Sequence, residues 1–487
     1  MSGLAWRAES VRRDVVLGLG LQHGLRPVSG SIEALRLTFD VSHRLARILL
    51  VVVLVAIATS VWIAIRYGYL TQVAGIATAL IVLALSLRRP YLPLFAFALL
   101  IPVEEVVVLG DIGTLSRLAA VLFIVTYGLP RLGRIPIRVM PAAGWGFVAW
   151  AALSVAWALD PSVALSEIPI LVFLFATGIF IAAAIVERPS VVRPLLWAYS
   201  LSAGATALLG IYDYFTGGLP GDPNSRAAAL QDQNPAYFAA ALLPALIFVI
   251  FELISGRYRL LSALIMAVST VAIVVSGTRA AWLAAAVVVL VMVVPRLDVR
   301  GRVTAVFAAF VVAAVLLQLP GAADLVIQRT DIAISTGGAG RTDIWTVGLS
   351  IYRTRPITGV GLANFPNAYT PEIVRESDVG LNTANDPAYR APHSLLISTL
   401  AELGPVGLAL LAFFLLPLAL QRGWGPDAAM IQAGIASLLV TALFLDVVNR
   451  KQVWLLIGIA CGLAYLAREA RKARGSTRAV IEPVVAT

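Results

Sequence analysis

The chain has 487 residues, of which 60% are hydrophobic and 13% charged, with a formal net charge of +10. Soluble domains run at about 45–50% apolar and about 25% charged, so a soluble globular protein of this size is excluded. The apolar residues come in blocks of about twenty, enough to cross a hydrocarbon layer of about 30 Å as helix. Alternating ten-residue segments are absent, which argues against a transmembrane barrel.

The positive charge is almost all arginine, since Lys451 and Lys472 are the only lysines. In a soluble protein that excess would suggest nucleic acid. Here it marks the cytoplasmic loops of a membrane protein, and no nucleic-acid partner is expected. Cys461 is the single cysteine, so no intrachain disulfide forms and outer loops must hold their shape by packing and hydrogen bonding.

In chain order, residues 1–44 read as a cytoplasmic tail. Within it Arg12-Arg13 precede a short apolar run that lacks a small-residue cleavage site, so the first full span is expected to act as the insertion signal. Eleven spans are expected within 45–320, at 45–65, 68–87, 90–109, 114–130, 141–158, 167–186, 190–213, 235–254, 258–277, 279–296 and 302–320. Glu104-Glu105 interrupt the third. A long extracytoplasmic loop follows at 321–392, then spans at 393–420, 427–446 and 451–467, and a basic cytoplasmic tail at 468–487. The expected fold class is an all-α polytopic integral membrane protein with about 12–14 transmembrane helices and one long extracytoplasmic loop.

Arginine placement orients this chain. With the N-terminus in the cytoplasm, the inner segments carry Arg88-Arg89, Arg131, Arg134, Arg138, Arg188, Arg193, Arg257, Arg259, Arg296 and Arg300. The short outer loops are much poorer in Lys and Arg, as the positive-inside rule requires. Both termini are then cytoplasmic. The outer face presents a loop at about 214–234, a tight turn near Ser276-Gly277-Thr278-Arg279, and the long loop. In that loop Arg341 to Tyr352 reads as an amphipathic helix with Ile344, Val347, Ile351 and Tyr352 on one side. Trp345, Tyr352, Phe365 and Tyr369 are candidates for a small core.

Candidate site residues cluster on this face. Arg226 lies in the medium loop, and Asn234 precedes Pro235, either as part of a site or as a plain helix cap. Arg279 stands in the tight turn, where it either snorkels to headgroups or meets an anion, with the Ser276 and Thr278 hydroxyls as added donors. Arg341 follows the flexible Gly337-Gly338-Ala339-Gly340, with pairing to Asp343 as the alternative. Arg226, Arg279 and Arg341 together suit one diphosphate, because guanidinium stays charged and bonds phosphate oxygens bidentately. His393 is the only histidine outside the N-terminal tail. At a helix N-terminus its ring should stay neutral and able to accept a proton, the property a general base needs; a structural histidine at the interface is the alternative. Beyond it Glu402-Leu403-Gly404-Pro405-Val406-Gly407 should break its span, with Glu402 facing a polar cavity and pairing an arginine. No metal-ligand set and no cofactor are expected, the exception considered being a divalent cation on Glu104-Glu105.

The ordered set of Arg226 with Asn234-Pro235, Ser276-Gly277-Thr278-Arg279-Ala280-Ala281-Trp282, Gly340-Arg341-Thr342-Asp343-Ile344-Trp345, Gly359-Val360-Gly361-Leu362-Ala363-Asn364-Phe365, Pro392-His393-Ser394-Leu395-Leu396 and Glu402 to Gly407 resembles the O-antigen ligase and polymerase superfamily of bacterial envelope glycosyltransferases. The resemblance covers about residues 200–420. The family more often shows His-Asn where this chain has His393-Ser394, and Ser-Arg-Gly where it has Thr278-Arg279-Ala280. The resemblance implies an inverting, metal-independent transfer at the outer leaflet of the bacterial inner membrane. The donor would be a polyprenyl diphosphate-linked glycan. The acceptor hydroxyl would belong to lipid A core in a ligase or to another lipid-linked glycan in a polymerase. His393, Arg279 and Arg226 would be catalytic; Arg341, Asn234, Ser276, Thr278 and Glu402 would bind substrate. Other readings of the same chain are a polytopic transporter or lipid flippase, a metal-dependent glycosyltransferase using Glu104-Glu105, and a non-catalytic scaffold.

Overall fold

The computed structural model describes residues 80–104, 114–216, 226–228, 234–298, 300–301, 314–335, 340–379, 391–420 and 428–485. All elements named here belong to the unit Leu85–Thr487; the other unit, Met1–Ala84, lies almost wholly outside the described residues, and with it the expected span 45–65. The protein is an all-α polytopic membrane protein. The helices are α1 (Leu92–Leu100), α2 (Leu115–Phe123), α3 (Ala142–Leu153), α4 (Pro161–Glu187), α5 (Val192–Thr216), α6 (Pro235–Ile254), α7 (Arg259–Val275) and α8 (Arg279–Met292), followed by α9 (Ala322–Ser335), α10 (Arg341–Thr354), α11 (Phe365–Ala368), α12 (Pro371–Glu376), α13 (Leu395–Leu420), α14 (Ala428–Phe444) and α15 (Lys451–Val485).

Among the described residues seven helical stretches are long and apolar enough to cross a membrane, and three shorter apolar helices, Ala142–Trp157, Arg259–Val275 and Ala429–Phe444, accompany them. The expected span 90–109 is helical over Leu92–Leu100 and turns at 101–104, beside the Glu104 that interrupts the apolar run. Most of the expected span 302–320 lies outside the described residues.

Local chemistry sets the helix ends. Asp160 caps α4 by accepting the Ser162 N–H at 2.9 Å, and Pro161 supplies the first helical residue. Asn234 caps α6 in the same way, accepting the Ala236 N–H at 2.9 Å ahead of Pro235. The starts of α4 and α6 meet the ends of their neighbours at one end of the bundle. There Thr278, between α7 and α8, donates to the Pro235 carbonyl at 3.2 Å, and the Tyr237 hydroxyl donates to the Asp446 carbonyl at 3.3 Å. Ser398 in the first turn of α13 donates to the Asp446 carboxylate at 3.3 Å, and Asn449 reaches Glu167 at 3.3 Å. The opposite end is arginine-rich: Arg131 pairs with Glu187 at 3.0 Å, and Arg193 forms an ion pair with the buried Glu252.

Lipid tails are as apolar as leucine, so close packing and small residues join helices within a bilayer. The α4–α15 contact follows that rule. Gly458 and Gly462, four residues apart, turn their bare faces toward α4. A Cβ on Gly458 would lie 2.9 Å from the Gly178 carbonyl oxygen, and one on Gly462 would lie 2.8 Å from that of Ala182. These obstacles are backbone and cannot swing aside. Gly462→Leu is therefore expected to lower the melting temperature in detergent, with a cost of about 1–3 kcal/mol from overpacking. Gly434→Ala is the control, since its Cβ would meet only Leu456 at 3.7 Å. A thermal-shift comparison in which both variants melt with the wild type would remove the backbone-contact account.

The expected break in α13 is present at Gly404, with φ +67 and ψ −172 inside an otherwise helical run. Carbonyls freed there need donors within the protein. The Gly359–Phe365 segment supplies two of them: Val360 N–H bonds the Ala401 carbonyl at 3.0 Å and Gly361 N–H bonds that of Glu402 at 2.8 Å. The Trp150 indole takes the Leu403 carbonyl at 2.8 Å. Trp157 and Asn364 tie the same segment to the α3–α4 turn, through the Thr358 carbonyl at 3.1 Å and the Asp160 N–H at 2.7 Å. At Gly359 a Cβ would sit 2.4 Å from the Glu402 carbonyl carbon, which explains the bare residue at φ +69.

Candidate functional site

The turn between α7 and α8 is the foundation of the candidate site. Gly277 adopts φ +62, which lets the chain reverse within three residues. The Ser276 hydroxyl donates to the Ile273 carbonyl at 2.7 Å and accepts the Thr278 N–H at 3.2 Å. The Trp282 indole also bonds the Ile273 carbonyl, at 2.9 Å, and ties the first turn of α8 back to α7.

Arg226 docks onto this turn. Its Nε donates to the Ser276 carbonyl at 2.7 Å and its Nη2 to the Thr278 hydroxyl at 3.2 Å, while Ala227 N–H bonds the Val275 carbonyl at 3.1 Å. Three more guanidinium groups lie close enough to act on it electrostatically. Arg279 is the first residue of α8, and Arg341 is the first residue of α10 after Gly340 at φ +74. Arg329 comes from α9, whose Leu325 packs on the turn: a Cβ on Gly277 would lie 3.3 Å from both Leu325 Cδ1 and Arg226 Nε. Burial, with repulsion from Arg329, Arg341 and Arg279, pushes Arg226 down to about 10, still protonated at neutral pH. Burial and then Arg279 lower Arg341 and Arg329 in the same way. Arg279 thus acts on each of the other three. Among the described residues Arg341 makes no ion pair with Asp343, so the pairing alternative is not realised.

A cavity of about 400 Å³ lies beside this cluster. Arg279, Arg341 and Thr342 line its polar side; Leu283, Trp345 and Phe444 line the apolar side. The Trp345 and Phe444 rings are 6.1 Å apart, and the Trp345 indole N–H is buried with no hydrogen-bond partner among the described residues. Buried donors normally find acceptors, so this N–H and the guanidiniums together suit an anionic or hydroxyl-bearing ligand.

His393 has φ +45 and precedes the buried Ser394, which caps α13 by accepting the Ile397 N–H at 3.4 Å. The first turn of α13 is wedged between two walls. On one side Ile397 fills the space over Gly348 of α10, where a Cβ would lie 2.4 Å from its Cγ2. On the other, Ser398 bonds Asp446, two residues beyond the cavity-lining Phe444. The fold therefore brings His393 and the arginine cluster to one end of the bundle through α10 and α14.

Other expected site residues have structural work. Asn234 is the exposed cap of α6, and the Ser276 and Thr278 hydroxyls hold the turn and Arg226. Glu402 departs from the expected pairing with an arginine. Its carboxylate accepts the Ala363 N–H at 2.8 Å and the Phe365 N–H at 3.2 Å, because the break at Gly404 brings the Gly359–Phe365 segment directly against it. Glu104 is held by Lys451, which also bonds Thr114 and Ser116 at 2.8 and 2.9 Å; Glu105 lies outside the described residues. The small core of the long loop contains Phe365 and Tyr369 with Ile344, Val347 and Ile351, as the amphipathic pattern implies. Trp345 turns instead to the cavity, and Tyr352 is only half-buried.

Two groups escaped the sequence reading. Arg329 was hidden in a loop with no motif, though Leu325, Gln328 and Arg329 share a helix face. Asp446 accepts from the Ser398 hydroxyl and the Val448 N–H, and it lines a second cavity of about 70 Å³ with Glu167 and Glu402.

Residues 261–412 match the family model described as O-antigen ligase. The chain carries an O-antigen ligase domain. That segment contains Arg279, Arg329, Arg341, His393 and Glu402, while Arg226 and Asn234 precede it. An O-antigen ligase domain in a polytopic helical bundle indicates a membrane enzyme of the glycosyltransferase type that acts on lipid-linked glycans. No curated protein matches the chain.

Proposed function

We propose that the protein is an inverting, metal-independent glycosyltransferase that moves a glycan from a polyprenyl diphosphate donor to an acceptor sugar hydroxyl, with lipid A core as the acceptor. The observation that carries this reading is the convergence of Arg226, Arg279, Arg329 and Arg341 at the bundle end where His393 precedes α13. That end faces the extracytoplasmic side of the inner membrane, because Arg131, Arg134, Arg138, Arg188, Arg193, Arg257, Arg259 and Arg296 collect at the other. Residues 1–44 and 468–487 are then cytoplasmic.

In this reaction His393 takes the proton of the acceptor hydroxyl as its oxygen bonds to the anomeric carbon. The bond from that carbon to the diphosphate oxygen breaks, and its electron pair leaves with the diphosphate. Guanidinium groups held by the fold stabilise the charge that develops there without reorganising. Diphosphate is a good leaving group, so the arginines suffice without a metal.

Glycan transfer by purified protein tests the reading. Polyprenyl diphosphate-linked glycan is offered with lipid A core, then alone, with EDTA present. Transfer to the core is the expected result, and Arg279→Gln should reduce it by at least tenfold, the scale of one charged hydrogen bond. Chain lengthening on the donor alone would identify a polymerase of the same superfamily. Folded protein that transfers nothing would sink the proposal and favour a transporter or flippase.

A further inference from the structure

Arg329 has no part in the resemblance that singles out the other arginines, yet the fold carries it to them. Its helix, α9, precedes the Gly-rich stretch ahead of Arg341, and α9 packs on α7. Leu325 is buried against Gly277 at the turn that anchors Arg226. Arg329 follows Leu325 by four residues, which places both on one helix face. The exposed Ile327 and Ile334 lie on other faces of α9. Leu325 is thus the anchor that holds Arg329 over the site.

Electrostatics agrees with that placement. Arg329 acts on Arg226 more strongly than Arg341 or Arg279 does, and Arg329 itself feels Arg279. Four cations gathered at one half-buried place repel one another. Such a cluster is stable when an anion of matching charge is present. A glycan-linked diphosphate carries about two negative charges and the released polyprenyl diphosphate about three, since a new terminal phosphate oxygen is exposed. Three arginines balance the product. A fourth adds a donor that gains most as the leaving group separates, which favours the charge-separated state over the bound donor.

We propose that Arg329 is a fourth phosphate-binding residue, held over the Ser276–Arg279 turn by Leu325, and that it makes the site select a terminal diphosphate over a single phosphate. This rests on the diphosphate-donor reading above. The same phosphate chemistry is offered by phospholipid headgroups, and the two sources differ in phosphate number.

Calorimetric titration of the purified full chain with inorganic pyrophosphate and with orthophosphate separates them. Wild type should bind pyrophosphate more tightly than orthophosphate. Arg329→Gln should lose between roughly tenfold and a hundredfold in pyrophosphate affinity, with little change for orthophosphate. Arg329→Lys should recover part of the loss, and Leu325→Ala, which removes only the anchor, should weaken pyrophosphate binding in the same direction. Wild-type affinity for pyrophosphate in Arg329→Gln, with Arg279→Gln impaired, would overturn this proposal and leave the donor reading intact. Equal affinity of wild type for the two anions would assign the cluster to headgroups. Absence of pyrophosphate binding by folded wild type would remove the diphosphate site itself. Melting temperatures close to wild type establish that each variant is folded.

Discussion

His393→Ala is expected to lower the rate of glycan transfer by roughly 10²- to 10⁴-fold, the range of a lost general base. Its KM for the donor should hardly move, and neither should pyrophosphate affinity, because the arginines hold the diphosphate independently. The variant should also melt with the wild type. Ser394, not His393, caps α13, and Ile397 and Ser398 carry the packing of its first turn. His393 has φ +45, a region that costs a non-glycine residue about 1–3 kcal/mol. Glycine occupies that region without the penalty that a Cβ brings. His393→Gly should therefore raise the melting temperature slightly while activity stays lost. If His393→Ala retains near-wild-type turnover, the base assignment fails; if it melts well below wild type, the residue is structural.

Much of this end of the protein was legible in the sequence, and the reasons differ by residue. Guanidinium groups near hydrocarbon are costly without a partner, so Arg279 in its turn stood out. The 3.6-residue periodicity revealed α10, and the Gly404-Pro405 pair revealed the break in α13. What stayed hidden depends on pairings between distant segments. Glu402 looked like the partner of an arginine because nothing local indicates that Ala363 and Phe365 lie against it. Asn234 was read as either a site residue or a plain helix cap, and Ser276 and Thr278 as substrate donors; all three side chains also satisfy backbone groups, as short polar side chains beside helix ends often do. Arg329 was missed because its significance comes from Leu325 meeting a turn about fifty residues earlier.

The reassignment of Glu402 makes the second large prediction. Each carboxylate oxygen accepts one backbone N–H, from Phe365 and Ala363, and the residue is 7% exposed. Removing both acceptors leaves two buried donors without partners, at about 1–3 kcal/mol each. Glu402→Ala should therefore cost roughly 2–6 kcal/mol and lower the melting temperature sharply. Glu402→Gln should lose about half as much, because its amide presents one oxygen and turns an NH₂ group toward the other donor. Activity should fall with stability in both variants, since the Gly359–Phe365 segment ties α13 to the α3–α4 turn and holds the floor under α10. A substrate-binding glutamate behaves differently: its alanine variant melts like the wild type and binds or turns over substrate poorly. Thermal shift and transfer rate measured on the same preparations decide between them. Unchanged melting with lost transfer would return Glu402 to the substrate and leave the backbone N–H groups of Ala363 and Phe365 to be satisfied by water.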